Sequence, residues 1–336
     1  MILRIDPEKP NINLIRKAAK VIRNGGLVVF PTETVYGIGA NAFDPEACKK
    51  IFKVKRRPVD NPLIVHVASF EQINDIVKCI PETAKKFMEK LMPGPFTAIL
   101  KKRSIIPDVV TAGLDSVAVR FPEHPIAKLL IEEAGVPIAA PSANLSGRPS
   151  PTKAEHAIED MNGRVDVIID GGDTLYGLES TIINFTVEPP ILLRPGPLYP
   201  EQLQKIGCVC IPEEARGLKS QEKPLSPGMK YRHYAPKKKL VLVENLSKMR
   251  EILEVYKDLD PIVLCPIERA ALYKGYKTVI IGSLKNKFSI AKNLFDVLRT
   301  VERMEGNIII AEGLDDNGIL FSVMNRLRKA ASEVIR

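Results

Sequence analysis

Residues 211–239 read IPEEARGLKSQEKPLSPGMKYRHYAPKKK. The stretch has no apolar run and is rich in Pro, Gly and Lys, so it marks a boundary between two domains rather than part of either core. A chain of 336 residues has room for about two domains at roughly 100–200 residues each. The segment is unusual for a passive spacer. Met229, Tyr231, His233 and Tyr234 lie inside it, whereas plain spacers are Gly/Ser-rich or charged. Large amphipathic side chains there imply that the segment packs on something.

Upstream of the break, short apolar runs alternate with helical patterns. Strands are expected at 27–30, 63–67, 96–100, 117–121, 136–140, 165–169, 181–185 and 191–194. Asp44 is placed as an N-cap with Pro45 at the first helical position, opening a helix to about Val54. Helices are also expected near 70–78 and 82–91, and Thr152-x-x-Glu155 fits a capping box that opens another. The mixture implies an α/β sheet with both strand directions. Downstream the alternation is cleaner. Strands at 240–243, 262–265, 278–281 and 308–311 are separated by helices near 247–257, 286–304 and 318–331. This predicts a small parallel sheet of Rossmann-like layout. No GxGxxG follows its first strand, so a dinucleotide site is not indicated.

Composition narrows the class. Hydrophobic residues make up 45% and charged residues 26%, an ordinary globular mix that excludes collagenous, low-complexity or wholly disordered chains. No apolar run reaches the roughly 18 residues of a membrane helix, and the N-terminus lacks the apolar core of a secretory signal. A cytoplasmic address is the expectation. The five cysteines show no CxxC pair and no His cluster, which argues against a zinc site. The net charge of +9 is shared almost evenly by residues 1–236 and 237–336. A basic protein attracts phosphates, and the charge alone does not choose between nucleic acid and nucleotide.

Five loops could carry chemistry. PTETVYGIGA at 31–40 leaves an apolar strand and enters a Gly-containing loop with hydroxyls, a carboxylate and a phenol. It reads either as an ordinary capped turn or as a ligand loop outside a strand end. KVKRRPVDNP at 53–62 crowds four cations at a helix end, then stiffens with two prolines. It is either dipole compensation or a polyphosphate clamp. His66 lies in the next strand on the face of Ile64. Arg120 is embedded in the apolar run SVAVRFP and needs a partner, a carboxylate of the protein or of a ligand. AAPSANLSGRPSPT at 139–152 is dense in small polar residues and leads into a helix, an arrangement that favours anions. GLEST at 177–181 and LRPG at 193–196 are weaker signals. P-loop, kinase, GxSxG and HExxH signatures are absent. The residues alone suggest a basic, hydroxyl-lined cleft suited to a nucleotide plus a small carboxylate.

Taken together, PTETVYGIG, KRRPVDNPLIVH, AVRFP, PSANLSG, ESTI, LRPG and SPGMKYRHYAP resemble the threonylcarbamoyl-AMP synthase family. The resemblance spans nearly the whole chain, in the family's two-domain form. It implies a YrdC-like catalytic domain over 1–210, a linker or lid over 211–239 and a Rossmann-like domain over 240–336. The family's Lys-x-Arg pattern falls on Lys55 and Arg57, and its Ser-x-Asn pattern on Ser142 and Asn144. The first loop ends Gly-Ile-Gly where Gly-Leu-Gly is usual, a mild change.

The implied reaction joins L-threonine, bicarbonate or CO2, and ATP into threonylcarbamoyl-adenylate and pyrophosphate. The product would pass to a transferase complex that modifies the tRNA adenosine beside the anticodon. Direct tRNA contact is not required, and no membrane is involved. ATP enters as a substrate, with Mg2+ carried by it rather than held as a tightly bound metal. Lys55 and Arg57 would be catalytic, binding the polyphosphate with Asn61. Ser116, Ser142, Asn144, Ser150, Arg194, Tyr231, His233 and Tyr234 would complete the nucleotide site. Thr34, His66, Arg120, Ala140 and Ser180 would hold threonine. Two rivals remain at this point. One is a tRNA- or double-stranded-RNA-binding module, suited by the charge but lacking a fingerprint. The other is a carbamoyltransferase of the hydrogenase-maturation type, whose zinc-finger cysteine pairs this chain lacks.

Overall fold

The apolar runs before residue 211 pair into one ten-stranded mixed sheet. The computed structural model describes residues 1–218 and 234–336. In chain order the first part runs β1 (Ile2–Arg4), α1 (Ile12–Arg23), β2 (Val28–Phe30), β3 (Gly37–Asn41), α2 (Pro45–Lys55) and β4 (Ile64–His66). There follow α3 (Phe70–Ile76), α4 (Glu82–Leu91), β5 (Phe96–Lys101), α5 (Asp108–Thr111), β6 (Ser116–Arg120) and α6 (Pro125–Ala134). It closes with β7 (Ile138–Ala140), α7 (Ala154–Met161), β8 (Val167–Asp170), β9 (Thr181–Asn184), β10 (Ile191–Arg194) and α8 (Pro200–Gln204). The sheet order is β1-β8-β2-β3-β7-β4-β6-β5-β9-β10. Alternation along each strand feeds two cores. Val29 belongs to one, while Val28 and Phe30 belong to the other, as the two-residue period of a strand requires.

After residue 234 come β11 (Lys239–Val243), α9 (Met249–Val255), β12 (Pro261–Cys265), β13 (Lys277–Ile280), α10 (Lys287–Arg303), β14 (Ile308–Glu312), α11 (Gly318–Ala330) and β15 (Glu333–Ile335). Their sheet, β13-β12-β14-β11-β15, is parallel throughout. A mixed α/β sheet joined to a smaller parallel one is the class the sequence implied.

Local chemistry explains the frame around the site. The Asp44 carboxylate accepts the Glu46 and Ala47 amides at 2.9 and 3.0 Å, with Pro45 in the first turn, a cap worth about 1 kcal/mol. Two expectations need correction. The Gly-Ile-Gly segment is not loop but β3, antiparallel to β2 with Phe30 opposite Gly37. Its glycines provide clearance rather than a turn: a Cβ on Gly39 would lie 2.5 Å from Ile138 and 2.8 Å from Phe30, the close approach that glycine in a strand permits. The capping box at Thr152 does not form. The helix starts at Ala154 without a side-chain cap, because the Thr152 carbonyl instead accepts Thr174 N–H at 2.8 Å and its amide points to His156. The N-terminal and C-terminal edge strands β1 and β15 and the helices α1 and α6 had no counterpart among the sequence expectations.

The two sheets are docked through buried ion pairs. Arg299 on α10 meets Asp160 on α7 at 2.7 Å, with side chains 2% and 0% exposed. Arg148 reaches Asp160, Glu159 and Glu302. Val35 and Leu178 of the first part sit in the same apolar cluster as Leu294, Phe295 and Leu298 of α10. The turn at residues 213–216 lies between the two: the Asn325 amide donates to Ala215 carbonyl at 2.9 Å.

Candidate active site

Strand register places the first functional pair. β4 and β6 run parallel with His66 beside Arg120, and β4 and β7 run antiparallel with Ile64 opposite Ala140. His66, Arg120, Ile64 and Ala140 therefore share one wall of a cavity of about 280 Å³, close to the lower end of typical ligand pockets. Arg120 donates to Glu33 at 2.5 Å, so its protein partner is a carboxylate from the 31–36 loop. Its Nε has no partner, leaving one arm of the guanidinium fork for something else. Burial pushes the His66 imidazole down to about 3, reinforced by the Arg120 charge. It is neutral near pH 7, with Nδ1 3.2 Å from the Ile64 carbonyl.

The opposite rim is cationic. α2 is closed by Arg56 in a left-handed conformation, φ 52°. This turns the chain so that Arg57 folds back, donating from Nε and Nη2 to the carbonyls of Asn61 and Pro62 at 3.1 and 3.0 Å. The Lys55 ammonium is buried and donates to the carbonyls of Ser142 and Asn144. It ties the helix end to the 141–151 loop while still lining the cavity. Burial, with Arg57 nearby, lowers its pKa well below the usual lysine value.

The remaining wall comes from that loop and two strand ends. The Asn144 amide nitrogen donates to the carbonyls of Leu145 and Arg148 at 2.9 Å each. Its Oδ1, like that of Asn61, is buried without a partner. The Ser150 hydroxyl donates to Glu179 at 2.6 Å. Arg194 donates to the carbonyl and hydroxyl of Ser180 at 3.0 and 3.1 Å, and burial pushes it down to about 10. Gly196 lets these segments touch: a Cβ there would lie 2.4 Å from the Glu179 carbonyl. From beyond the first sheet, Tyr234 lines the cavity. Its ring stacks on Phe295 at 5.1 Å, and the neighbouring Ala235 N–H donates to the Gly147 carbonyl at 2.9 Å.

Most of the residues expected at the site thus face one cavity. Thr34, Ser180 and Ser116 are not among those lining it. Thr34 stands one contact behind, its hydroxyl 2.8 Å from that of the lining Thr32. Ser180 stands behind Arg194, and Ser116 begins β6. Tyr231 and His233 lie outside the described residues. Sequence reasoning did not single out Thr32, Tyr36, Arg148 or Glu179, although each lies within a motif that it quoted. Among the described residues, Glu155, His156 and Asp296 bring three ligand atoms within 4.8 Å of one another. They span the two sheets, invisible to sequence spacing, and the Lys153 ammonium lies 2.9 Å from Asp296. None of the three lines the cavity.

Comparison with known proteins gives consistent matches along the chain. Residues 20–196 match the family model described as Telomere recombination, Sua5_yciO_yrdC, and residues 199–332 match Threonylcarbamoyl-AMP synthase, C-terminal domain. The chain is 48% identical to the threonylcarbamoyl-AMP synthase of Pyrococcus abyssi over 323 residues, 94% of each chain. It is 45% identical to that of Bacillus subtilis over 329 residues, 96% of this chain and 94% of the other. The crystal structure of P. abyssi Sua5 complexed with L-threonine superposes with a TM-score of 0.93 at 45% identity, covering 100% of this chain and 99% of that one.

Proposed function

The chain belongs to the threonylcarbamoyl-AMP synthase family, and from that premise we propose how its cavity makes L-threonylcarbamoyladenylate. Threonine and ATP are the substrates, and the enzyme is of the nucleotidyltransferase type. The observation that carries the proposal is the placement of Arg120 and His66 on one wall and Lys55, Arg57 and Asn61 on the other, around a single cavity.

Threonine's carboxylate would take the part of the Arg120 guanidinium that Glu33 leaves unused, while Thr34, His66, Ala140 and Ser180 shape the pocket around its amine and hydroxyl. A site that hydrogen-bonds a hydroxyl rejects analogues lacking it. The neutral amine attacks CO2, released from bicarbonate. A C–N bond forms, a proton leaves to solvent, and a carbamate results. A carbamate oxygen then attacks the α-phosphorus. The new O–P bond forms as the bond to the β-phosphate bridging oxygen breaks, and pyrophosphate departs. Such a displacement depends on alignment and charge stabilisation rather than on a protein nucleophile. Arg57 and Lys55 supply that charge at the phosphates. Ser142, Asn144, Ser150 and Arg194 hold the nucleotide, and the partnerless Asn61 and Asn144 oxygens offer acceptors to it.

Mg2+ is proposed to arrive on the triphosphate, where it would offset phosphate charge. Among the described residues, the carboxylate lining the cavity, Glu179, is already engaged by Ser150 and Arg326, which supports an ion carried by the triphosphate. We assign residues 1–210 to catalysis, 211–239 to a linker that doubles as a lid, and 240–336 to the C-terminal domain. Tyr234 over the cavity supports the lid, since a carbamate and a mixed anhydride need shielding from water. The product is proposed to pass to a tRNA-modifying transferase complex in the cytoplasm. No helix among the described residues is long and apolar enough to cross a membrane.

The test is to mix the protein with ATP, labelled bicarbonate and each amino acid in turn. A labelled adenylate should form with threonine and fall sharply with serine and valine. Equal labelling with all three would refute the assigned specificity, and none with any would refute the activity.

A further inference from the structure

We propose that Arg326, on α11 of the C-terminal domain, is a positioning residue for the nucleotide wall of the active site, acting through Glu179. The inference rests on the reading of that wall given above.

Arg326 is completely buried. Its Nε donates to Glu179 at 3.1 Å, across 147 residues of sequence. Its Nη1 donates to the carbonyl of Pro195 at 2.7 Å, the residue after Arg194. Its guanidinium carbon stands 5.6 Å from the centre of the Tyr234 ring. One side chain from the second domain thus reaches three segments that border the cavity. The same face of α11 adds Ser322, whose hydroxyl donates to the Gly196 carbonyl at 2.7 Å. Spacing of four residues puts the two side chains one above the other on the helix.

Glu179 is the link to the chemistry. One of its oxygens accepts from Arg326, and the other accepts from the Ser150 hydroxyl at 2.6 Å. Burial alone would push this carboxyl up. The Arg326 and Arg194 charges and the Ser150 bond outweigh it and hold the group below its ordinary value, so it is ionised. An ionised Glu179 fixes the Ser150 hydroxyl as donor toward it and turns the oxygen's remaining acceptor capacity elsewhere. It also places a negative charge on a wall meant for a triphosphate. Arg326 offsets that charge and fixes the carboxylate's orientation. Without it, Glu179 would repel the substrate and release Ser150.

The experiment is steady-state kinetics on the full-length chain, with threonine affinity measured in parallel by calorimetry. Arg326→Met should raise the KM for ATP at least about tenfold, with the Kd for threonine within about twofold of wild type. Arg326→Lys keeps the charge and should recover most of the KM. Glu179→Gln introduced into Arg326→Met should lower the KM for ATP again, because the repelling charge is gone. An unchanged ATP KM in folded Arg326→Met overturns the proposal. So does equal weakening of ATP and threonine with no recovery in Arg326→Lys, the pattern of a merely structural role. Should Arg326→Met fail to fold, Arg326→Met/Glu179→Gln is compared with Glu179→Gln alone. The two should share an ATP KM within about threefold, and a tenfold gap overturns the proposal. A wild-type protein that forms no adenylate in the same assay sinks the functional reading and this inference together. A wild-type protein that does, beside an unaffected Arg326→Met, sinks this inference alone.

Discussion

Glu33 and Arg120, 87 residues apart in the chain, meet at 2.5 Å with side chains 5% and 4% exposed. The pair spends one arm of the guanidinium fork on the protein and leaves the buried Nε without a partner, on a side chain that lines the cavity. Arg120→Lys keeps a charge against Glu33 but loses the fork. It should weaken threonine about tenfold, or about 1.4 kcal/mol, with ATP binding largely kept. Arg120→Ala would also strand a buried carboxylate, at a cost of about 3–5 kcal/mol in stability. Calorimetry showing loss of ATP rather than threonine binding would contradict the assignment.

Arg57 is braced by two backbone carbonyls and lines the cavity; in the proposed mechanism it meets the developing phosphate charge. Arg57→Ala should lower threonine-dependent pyrophosphate release by about a hundredfold or more, the scale of losing one preorganised charge-stabilising group. Pyrophosphate release at wild-type rates would refute the role.

His66 gives stability a defined pH dependence. Its folded pKa is pushed down to about 3 from 6.5 by burial and by Arg120. Between those values the unfolded chain binds a proton that the folded chain refuses. Stability is therefore full above pH 6.5 and falls as the pH drops through this window, by up to about 1.4 kcal/mol per unit. Burial moves His124 in the same direction, so the comparison with His66→Gln isolates the effect. In urea titrations the wild type should lose roughly 1–2 kcal/mol more than His66→Gln between pH 6.5 and 5. Equal losses would exclude His66 as the source.

Asp160 is 1% exposed and receives Arg148 from its own domain and Arg299 from across the two sheets. Asp160→Ala leaves the buried Arg299 guanidinium and the partly exposed Arg148 guanidinium short of a counter-charge. The expected destabilisation is about 3–5 kcal/mol, read as a lower urea midpoint, with new protease cleavage where the two domains separate. A midpoint within error of wild type would show that the pairs contribute little to docking.

Tyr234 lines the cavity from the second domain's side, and burial, with Glu179 beside it, pushes its phenol up to about 12, so it is neutral and adds no negative charge to the site. Tyr234→Ala should let water reach the labile intermediates. Roughly tenfold more AMP should appear per adenylate recovered, measured by separating nucleotides after a fixed time. An unchanged ratio would remove the lid.

The legible parts of this protein were those set by neighbours in the chain. Asp44 and Pro45 declare a helix start by themselves, since the cap bonds amides two and three positions away. The parallel second sheet was readable because each apolar strand is followed by a periodic helix. The Gly-Ile-Gly strand was misread, because its glycines answer to Phe30 and Ile138 rather than to a turn. Thr152 was misread because Thr174 and His156 engage its backbone first. Glu179 looked like one weak signal among several, since its meaning comes from Arg326 and Ser150.

The amino-acid order alone determined the α/β class, the division into two sheets around residues 211–239, and the polar loops at strand ends, because period, capping and composition act over a few residues. Only the tertiary structure decided which charges meet. It set Arg120 against Glu33, Lys55 against the carbonyls of Ser142 and Asn144, and Arg326 against Glu179. A buried charge is stable only with its counter-charge in reach, and which group comes into reach is settled by strand register and domain docking, not by distance along the chain.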